Sequence, residues 1–96
     1  MAHFVYIIYS KSIDKFYVGE TMNVAKRFEQ HNSGFYKSAF SKQTTDWELF
    51  WSVECNSRSQ ALKLEKFIKN MKSRKFYFKL KKNPTIVDDI LKSFTE

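Results

Sequence analysis

Two short runs dense in β-branched and aromatic residues, Phe4 to Tyr9 and Phe16 to Val18, flank the polar stretch Ser10-Lys11-Ser12-Ile13-Asp14-Lys15. No other feature of the chain constrains its fold as much. Such residues suit a pleated, half-buried surface, and the stretch between them has loop composition, so residues 4–9 and 16–18 read as a β-hairpin. Side chains alternate across a strand, which puts Tyr6 with Phe4 and Ile8 on one side of the first strand and Tyr17 with Gly19 on one side of the second. The sequence leaves the register open, and with it whether the two tyrosines share a face.

From Met22 to Ser33 the pattern turns helical, with Thr21 or Asn23 as N-cap and Gly34 as the stop. Val24, Arg27, Phe28 and His31 fall within one arc, the i, i+3, i+4, i+7 positions that face a core, while Lys26, Glu29 and Gln30 point away. Residues 35–46 show no sustained period and read as a polar, basic loop carrying Lys37 and Lys42. Trp47 to Cys55 has the composition of a third strand. A second helix is expected from Ser57 to Met71, with Ala61, Leu64, Ile68 and Met71 as its apolar stripe and Glu65 on the edge of that stripe. Ser73 to Lys82 is a basic and aromatic tract, and Pro84 is placed to open a last helix, Thr85 to Phe94. The expectation is an α/β (α+β) fold with a three-stranded antiparallel sheet flanked by three or four helices.

At 96 residues the chain fits one domain. Ten Phe, five Tyr and two Trp supply the large side chains that so short a domain needs for its core. Seventeen Lys and Arg against ten Asp and Glu leave a formal charge of +7, so nucleic acid is the leading partner class. An anionic membrane would attract the same charge, but no apolar run approaches the ~18 residues of a membrane span. The first residues lack the basic and long apolar regions of a signal peptide, and a lone Cys55 forms no internal disulfide, so a reducing, cytoplasmic setting is expected.

A spaced set of side chains points to chemistry: Tyr6, Tyr17, Gly19, Arg27, His31 and Glu65. Hydrolysis of a phosphodiester needs a placed water, relief of charge on the nonbridging oxygens, and stabilisation of the leaving oxygen. The Arg27 guanidinium can fork onto two phosphate oxygens and stays charged at any working pH. Glu65 suits Mg²⁺ or Mn²⁺, since Mg²⁺ keeps several waters and is often held by one or two carboxylates plus substrate phosphate. Tyr17, with Tyr6 second, is the candidate base, given help from nearby cations or a metal-bound water. His31 can relay a proton or hydrogen-bond the phosphate, and Gly19 lets backbone approach closely. Structural roles compete for the same residues. Arg27 can pair with Glu48 or Glu54, Glu65 with Lys69 one helical turn on, and Gly19 can mark a strand bend.

In order and spacing the set resembles the GIY-YIG nuclease domain family. The two name motifs match Phe4-Val5-Tyr6, with Phe4 in place of the first glycine, and Tyr17-Val18-Gly19. The family's arginine falls on Arg27, its Tyr or His position on His31, followed by Asn32, and its metal-binding glutamate on Glu65. The resemblance covers roughly residues 3 to 75. It implies a small antiparallel sheet flanked by helices, one divalent metal, and hydrolysis of nucleic-acid strands. Glu20 stands where some relatives carry a lysine, which reduces positive charge beside Tyr17, and the downstream asparagine of repair and homing relatives has no match. The expected activity is that of a metal-dependent endonuclease on DNA ahead of RNA, in repair or recombination, with a protein partner as one source of substrate choice. The alternatives are a noncatalytic or partner-dependent nucleic-acid-binding module and a protein-interaction domain. Lys37, Lys42, Lys69, Lys72, Arg74 and Lys75 are the expected phosphate contacts, with Phe76, Tyr77 or Phe78 open to base stacking.

Overall fold

The computed structural model describes residues 2–32 and 46–94. Its elements run β1 (His3–Ser10), β2 (Lys15–Thr21), α1 (Val24–Asn32), β3 (Trp47–Cys55), α2 (Arg58–Met71), α3 (Arg74–Lys82) and α4 (Thr85–Ser93). The strands form an antiparallel sheet in the order β2-β1-β3, so the first strand is the middle one. This is the three-stranded α+β architecture expected, with four helices. Both hairpin strands reach beyond the apolar runs 4–9 and 16–18, because pairing with β1 recruits polar neighbours such as Lys15 and Glu20 into the ladder.

Position decides what β1 buries. Val5, Tyr6, Ile7 and Ile8 are all almost fully enclosed, since the strand has neighbours on both edges and packing on both faces. Val5, Ile7 and Val18 face Ala61, Leu64 and Ile68 of α2, with Leu80 of α3 and Val87 of α4 completing that side. Tyr6 and Ile8 face the other way and pack with Trp47, Ile13, Tyr17 and Val24. The helix α1 lies on β3 and β1, while α2 crosses all three strands. An irregularity between Ile7 and Ile8 sets Phe50 outside the paired register of β3.

Caps fix the helix ends. Asn23, of the two residues expected at the start of α1, is the cap: its side-chain oxygen accepts from Lys26 N at 3.0 Å and its carbonyl from Arg27 N at 3.1 Å. The helix therefore starts two residues later than Met22, while Thr21 Oγ1 accepts from Asn23 N at 3.1 Å and shapes the turn. Gly34, its expected stop, lies outside the described residues. Ser57 Oγ accepts from Gln60 N at 3.1 Å to open α2, and Ser73 Oγ accepts from Phe76 N at 3.2 Å to open α3. Each such cap contributes about 1 kcal/mol. Asp46, just ahead of β3, accepts from Ser12 N and Ser12 Oγ, both at 3.0 Å, and from the buried Ser10 hydroxyl, tying the β1–β2 turn to the third strand.

A second tie holds α3. Asp14, in the left-handed region at φ 52°, accepts from the Tyr9 hydroxyl at 2.6 Å and from Arg74 Nη1 at 2.9 Å, while Arg74 Nη2 bonds the Asp14 carbonyl. The Tyr9 hydroxyl, and then the Arg74 guanidinium, hold the Asp14 carboxyl below the usual carboxylate range, and the same bond raises the Tyr9 phenol. The basic aromatic tract is thus a docked helix. Phe76 and Tyr77 are half-buried against the core, Tyr77 with Phe16 at 5.1 Å between ring centroids and Phe76 with Phe67 at 6.1 Å. Packing removes these two rings from the stacking role expected of them; Phe78 stays exposed.

Candidate active site

The hairpin register answers the question left open by sequence. Tyr6 pairs with Gly19 and Ile8 with Tyr17, so both tyrosines lie on one face of the sheet, with Thr21 two residues further along the same side of β2. Tyr6 covers Gly19. A Cβ at residue 19 would sit 2.5 Å from Tyr6 Cζ and closer still to its hydroxyl oxygen, so any larger residue displaces the buried ring. Gly19 serves side-chain approach within the sheet, which explains its type without a strand bend. Such forced overpacking costs roughly 1–3 kcal/mol.

Charged residues mark both ends of this strip. At the Tyr17 end, Lys69 Nζ stands 5.8 Å from the centre of the Tyr17 ring and 2.9 Å from Glu65 Oε2. The α2 helix brings Glu65 there from the edge of its apolar stripe, and the carboxylate side chain is 18 % exposed. At the Thr21 end, a cavity of about 320 Å³ is lined by Thr21, Met22, Asn23, Lys26 and Arg27. Arg27 is half-buried, as its inward position on α1 requires. Four residues of extended strand separate Tyr17 from Thr21, or ~13 Å. The structure therefore joins Tyr6, Gly19 and Tyr17 directly, sets Glu65 beside Tyr17 through Lys69, and opens the Arg27 cavity at the far end of the strip. His31 lies in the last turn of α1; its side chain, like Lys37 and Lys42, lies outside the described residues.

Glu20 does not weaken the positive charge at Tyr17 in the way its position in sequence implies. Pleating turns it to the opposite face, where it accepts from His3 Nδ1 at 3.0 Å. The cation beside Tyr17 is supplied instead from α2, by Lys69. Thr21 and Lys26, which share the Arg27 cavity, were not among the expected site residues. The two-residue period from Tyr17 through Gly19 was the signal for Thr21, while Lys26, one residue before Arg27 on the first turn of α1, lines the cavity as well. Cys55 is buried on the α2 face, and burial, with Glu20 and Glu54 nearby, pushes its thiol up.

Among the described residues no group of three or more His, Cys, Asp or Glu could enclose a metal ion. A lone Glu65 still fits a hard divalent ion that keeps most of its waters, because its carboxylate is partly exposed and already attracts a cation, Lys69. No helix among the described residues is long and apolar enough to cross a membrane.

Comparison with known proteins identifies the family and the fold. The family model described as the GIY-YIG catalytic domain matches residues 2–84. A UPF0213 protein of Syntrophus aciditrophicus (strain SB) is 35 % identical over 83 residues, which cover 85 % of this chain and 93 % of the relative. The solution NMR structure of a UPF0213 protein from Bacillus halodurans superposes with a TM-score of 0.50 at 28 % identity, covering 83 % of this chain and 82 % of the other.

Proposed function

The chain belongs to the GIY-YIG family, whose domain implies nuclease-type activity on nucleic acid, and from that premise we propose a metal-dependent endonuclease that cuts DNA in repair or recombination. The observation that carries this reading is the strip along β1 and β2: Tyr6 and Tyr17 on one face, with Glu65 and Lys69 at one end and Arg27 at the other.

In this reading Arg27 grips the nonbridging oxygens of the scissile phosphate, its fork matching two oxygens at once. Tyr17 orients the attacking water and takes its proton, with the Lys69 ammonium 5.8 Å from its ring centre. Tyr6, fixed by its seat on Gly19, presents its hydroxyl as a hydrogen-bond partner on the same face. His31 relays a proton to the leaving side. Glu65 would hold one Mg²⁺ or Mn²⁺, which supplies Lewis-acid relief of phosphate charge when bound. Lys69 then exchanges Glu65 for a phosphate, joining Lys72 and Lys75 along the backbone of the substrate. Arg74 adds its charge to that surface while staying paired with Asp14.

One observation favours a second reading. The Glu65 carboxylate is already neutralised by Lys69 at 2.9 Å, an arrangement that serves a binding module lacking hydrolysis, or waiting on a partner, equally well. A cleavage assay decides between them, using plasmid, branched and single-stranded DNA and RNA with Mg²⁺ or Mn²⁺, with Glu65→Gln beside the wild type. The expected result is metal-dependent nicking that the variant loses by about 100-fold or more, as befits removal of several kcal/mol of charge stabilisation. Intact substrate throughout, with binding retained, supports the module.

A further inference from the structure

On the face of the sheet opposite Tyr6 and Tyr17, a hollow of about 300 Å³ is lined by Tyr9, Phe16, Phe50, Arg74 and Phe78. None of these rings belongs to the candidate active site. Phe50 and Phe78 meet nearly at right angles, 5.1 Å between centroids and 89° between planes, and Phe16 meets Phe50 in the same way at 5.2 Å and 84°. Phe78 is 54 % exposed although its neighbours Phe76 and Tyr77 are packed into the core. The aromatic surface here therefore does something other than close the fold.

The rim of the hollow is cationic. The sequence of α3, Arg74-Lys75-Phe76-Tyr77-Phe78-Lys79-Leu80-Lys81-Lys82, holds five cations and no acid. Lys81 Nζ stands 4.5 Å from the centre of the Phe50 ring, and the Arg74 guanidinium carbon 5.3 Å from that of Phe16. Arg74 is paired with Asp14 and acts as a wall, so the charge open to an anion is that of the lysines. Their helix extends over ~12 Å. Flat apolar walls with a row of cations beside them complement a flat ring attached to an anionic chain. An unpaired nucleobase on its phosphodiester backbone has that form, whereas a duplex keeps its bases stacked out of reach.

The hollow and the active face meet at the edge strand. Phe16 and Tyr17 are sequence neighbours pointing to opposite sides of β2, Tyr77 packs on Phe16, and Lys69, which faces the Tyr17 ring, is close enough for its charge to act on Tyr77. We propose that the Phe50–Phe78 hollow, with Lys81 at its rim, takes an unpaired base of a single strand that passes round the β2 edge from the tyrosine face. This rests on the nucleic-acid reading above for its class of ligand, and adds that the substrate has a single-stranded portion.

The test is fluorescence anisotropy of the full chain with a short oligothymidylate, an oligouridylate and a DNA duplex of equal length, in EDTA so that no cleavage intervenes. Phe78→Ala is expected to weaken binding of a single strand about tenfold or more while duplex binding stays unchanged, and Phe78→Trp to restore it. Loss with either oligonucleotide supports the site and shows which of the two strands, thymidylate or uridylate, it accepts. Lys81→Ala, an exposed change that leaves the fold alone, should lower the salt slope on the single strand by about 0.7. Full single-strand affinity in both Phe78→Ala and Lys81→Ala overturns the proposal, as does an equal loss on single strand and duplex. A wild type that binds none of the probes overturns this site and the nucleic-acid reading together. Phe78-dependent binding in a protein that never nicks supports the site and removes only hydrolysis.

Discussion

Lys72 ends α2 at φ 48° and ψ 42°, the left-handed conformation in which glycine is the usual occupant. A Cβ in that region costs about 1 kcal/mol. Lys72→Gly is therefore expected to raise the thermal midpoint by about 4–8 °C and, in the same protein, to weaken nucleic-acid binding with a salt slope lower by about 0.7–0.9. Calorimetry and salt-titrated anisotropy check the two halves. A variant that is more stable yet binds as before would free Lys72 from the phosphate role. Single residues of this chain were legible to different depths. Tyr6, Tyr17, Gly19, Arg27 and Glu65 stood out by type and spacing, because those properties are written along the chain. The direction of Glu20 and the arrival of Lys69 at Tyr17 were not, since the first depends on which way the pleat falls and the second on how α2 crosses β2.

At the scale of elements, the bond set of Tyr9, Asp14 and Arg74 clamps the hairpin turn to the first turn of α3. Asp14 titrates lower in the folded chain than in the unfolded one, so its stabilisation is present above the ordinary Asp range and is lost as pH falls through the depressed folded value. Tyr9 is raised, so its share is present below the ordinary tyrosine range and is lost as pH rises through the elevated folded value. The expected outcome is that Asp14→Ala lowers the thermal midpoint near neutral pH and that the gap to wild type narrows in strong acid. A gap that persists in acid would assign the effect to the backbone of residue 14. The three strands could be read from their β-branched and aromatic composition, and α2 from the stripe Ala61, Leu64, Ile68. The α3 helix was obscured by three aromatic residues in a row, Phe76-Tyr77-Phe78, which carry no helical period by themselves. Its Ser73 cap and the burial of Leu80 settle its form.

Over the whole molecule, two apolar layers share one middle strand, so damage on one side is felt on the other. Leu64 is fully buried beneath the sheet, and Leu64→Ala is expected to cost about 2–5 kcal/mol, a large part of the stability a protein of this size possesses. A urea titration should show a lower midpoint, and nucleic-acid binding should disappear at that same midpoint although Leu64 is fully buried and offers no surface to a ligand. Binding lost at a lower urea concentration than the fold would show the faces to be uncoupled. The central place of β1 also bears on how the protein is made. This strand leaves the ribosome before either of its neighbours, and its second edge stays bare until Trp47–Cys55 has followed it out. At ~5–20 residues per second, that leaves Val5, Tyr6, Ile7 and Ile8 without their full cover for a few seconds in every round of translation, the interval in which a chaperone, or another nascent copy, has its opening.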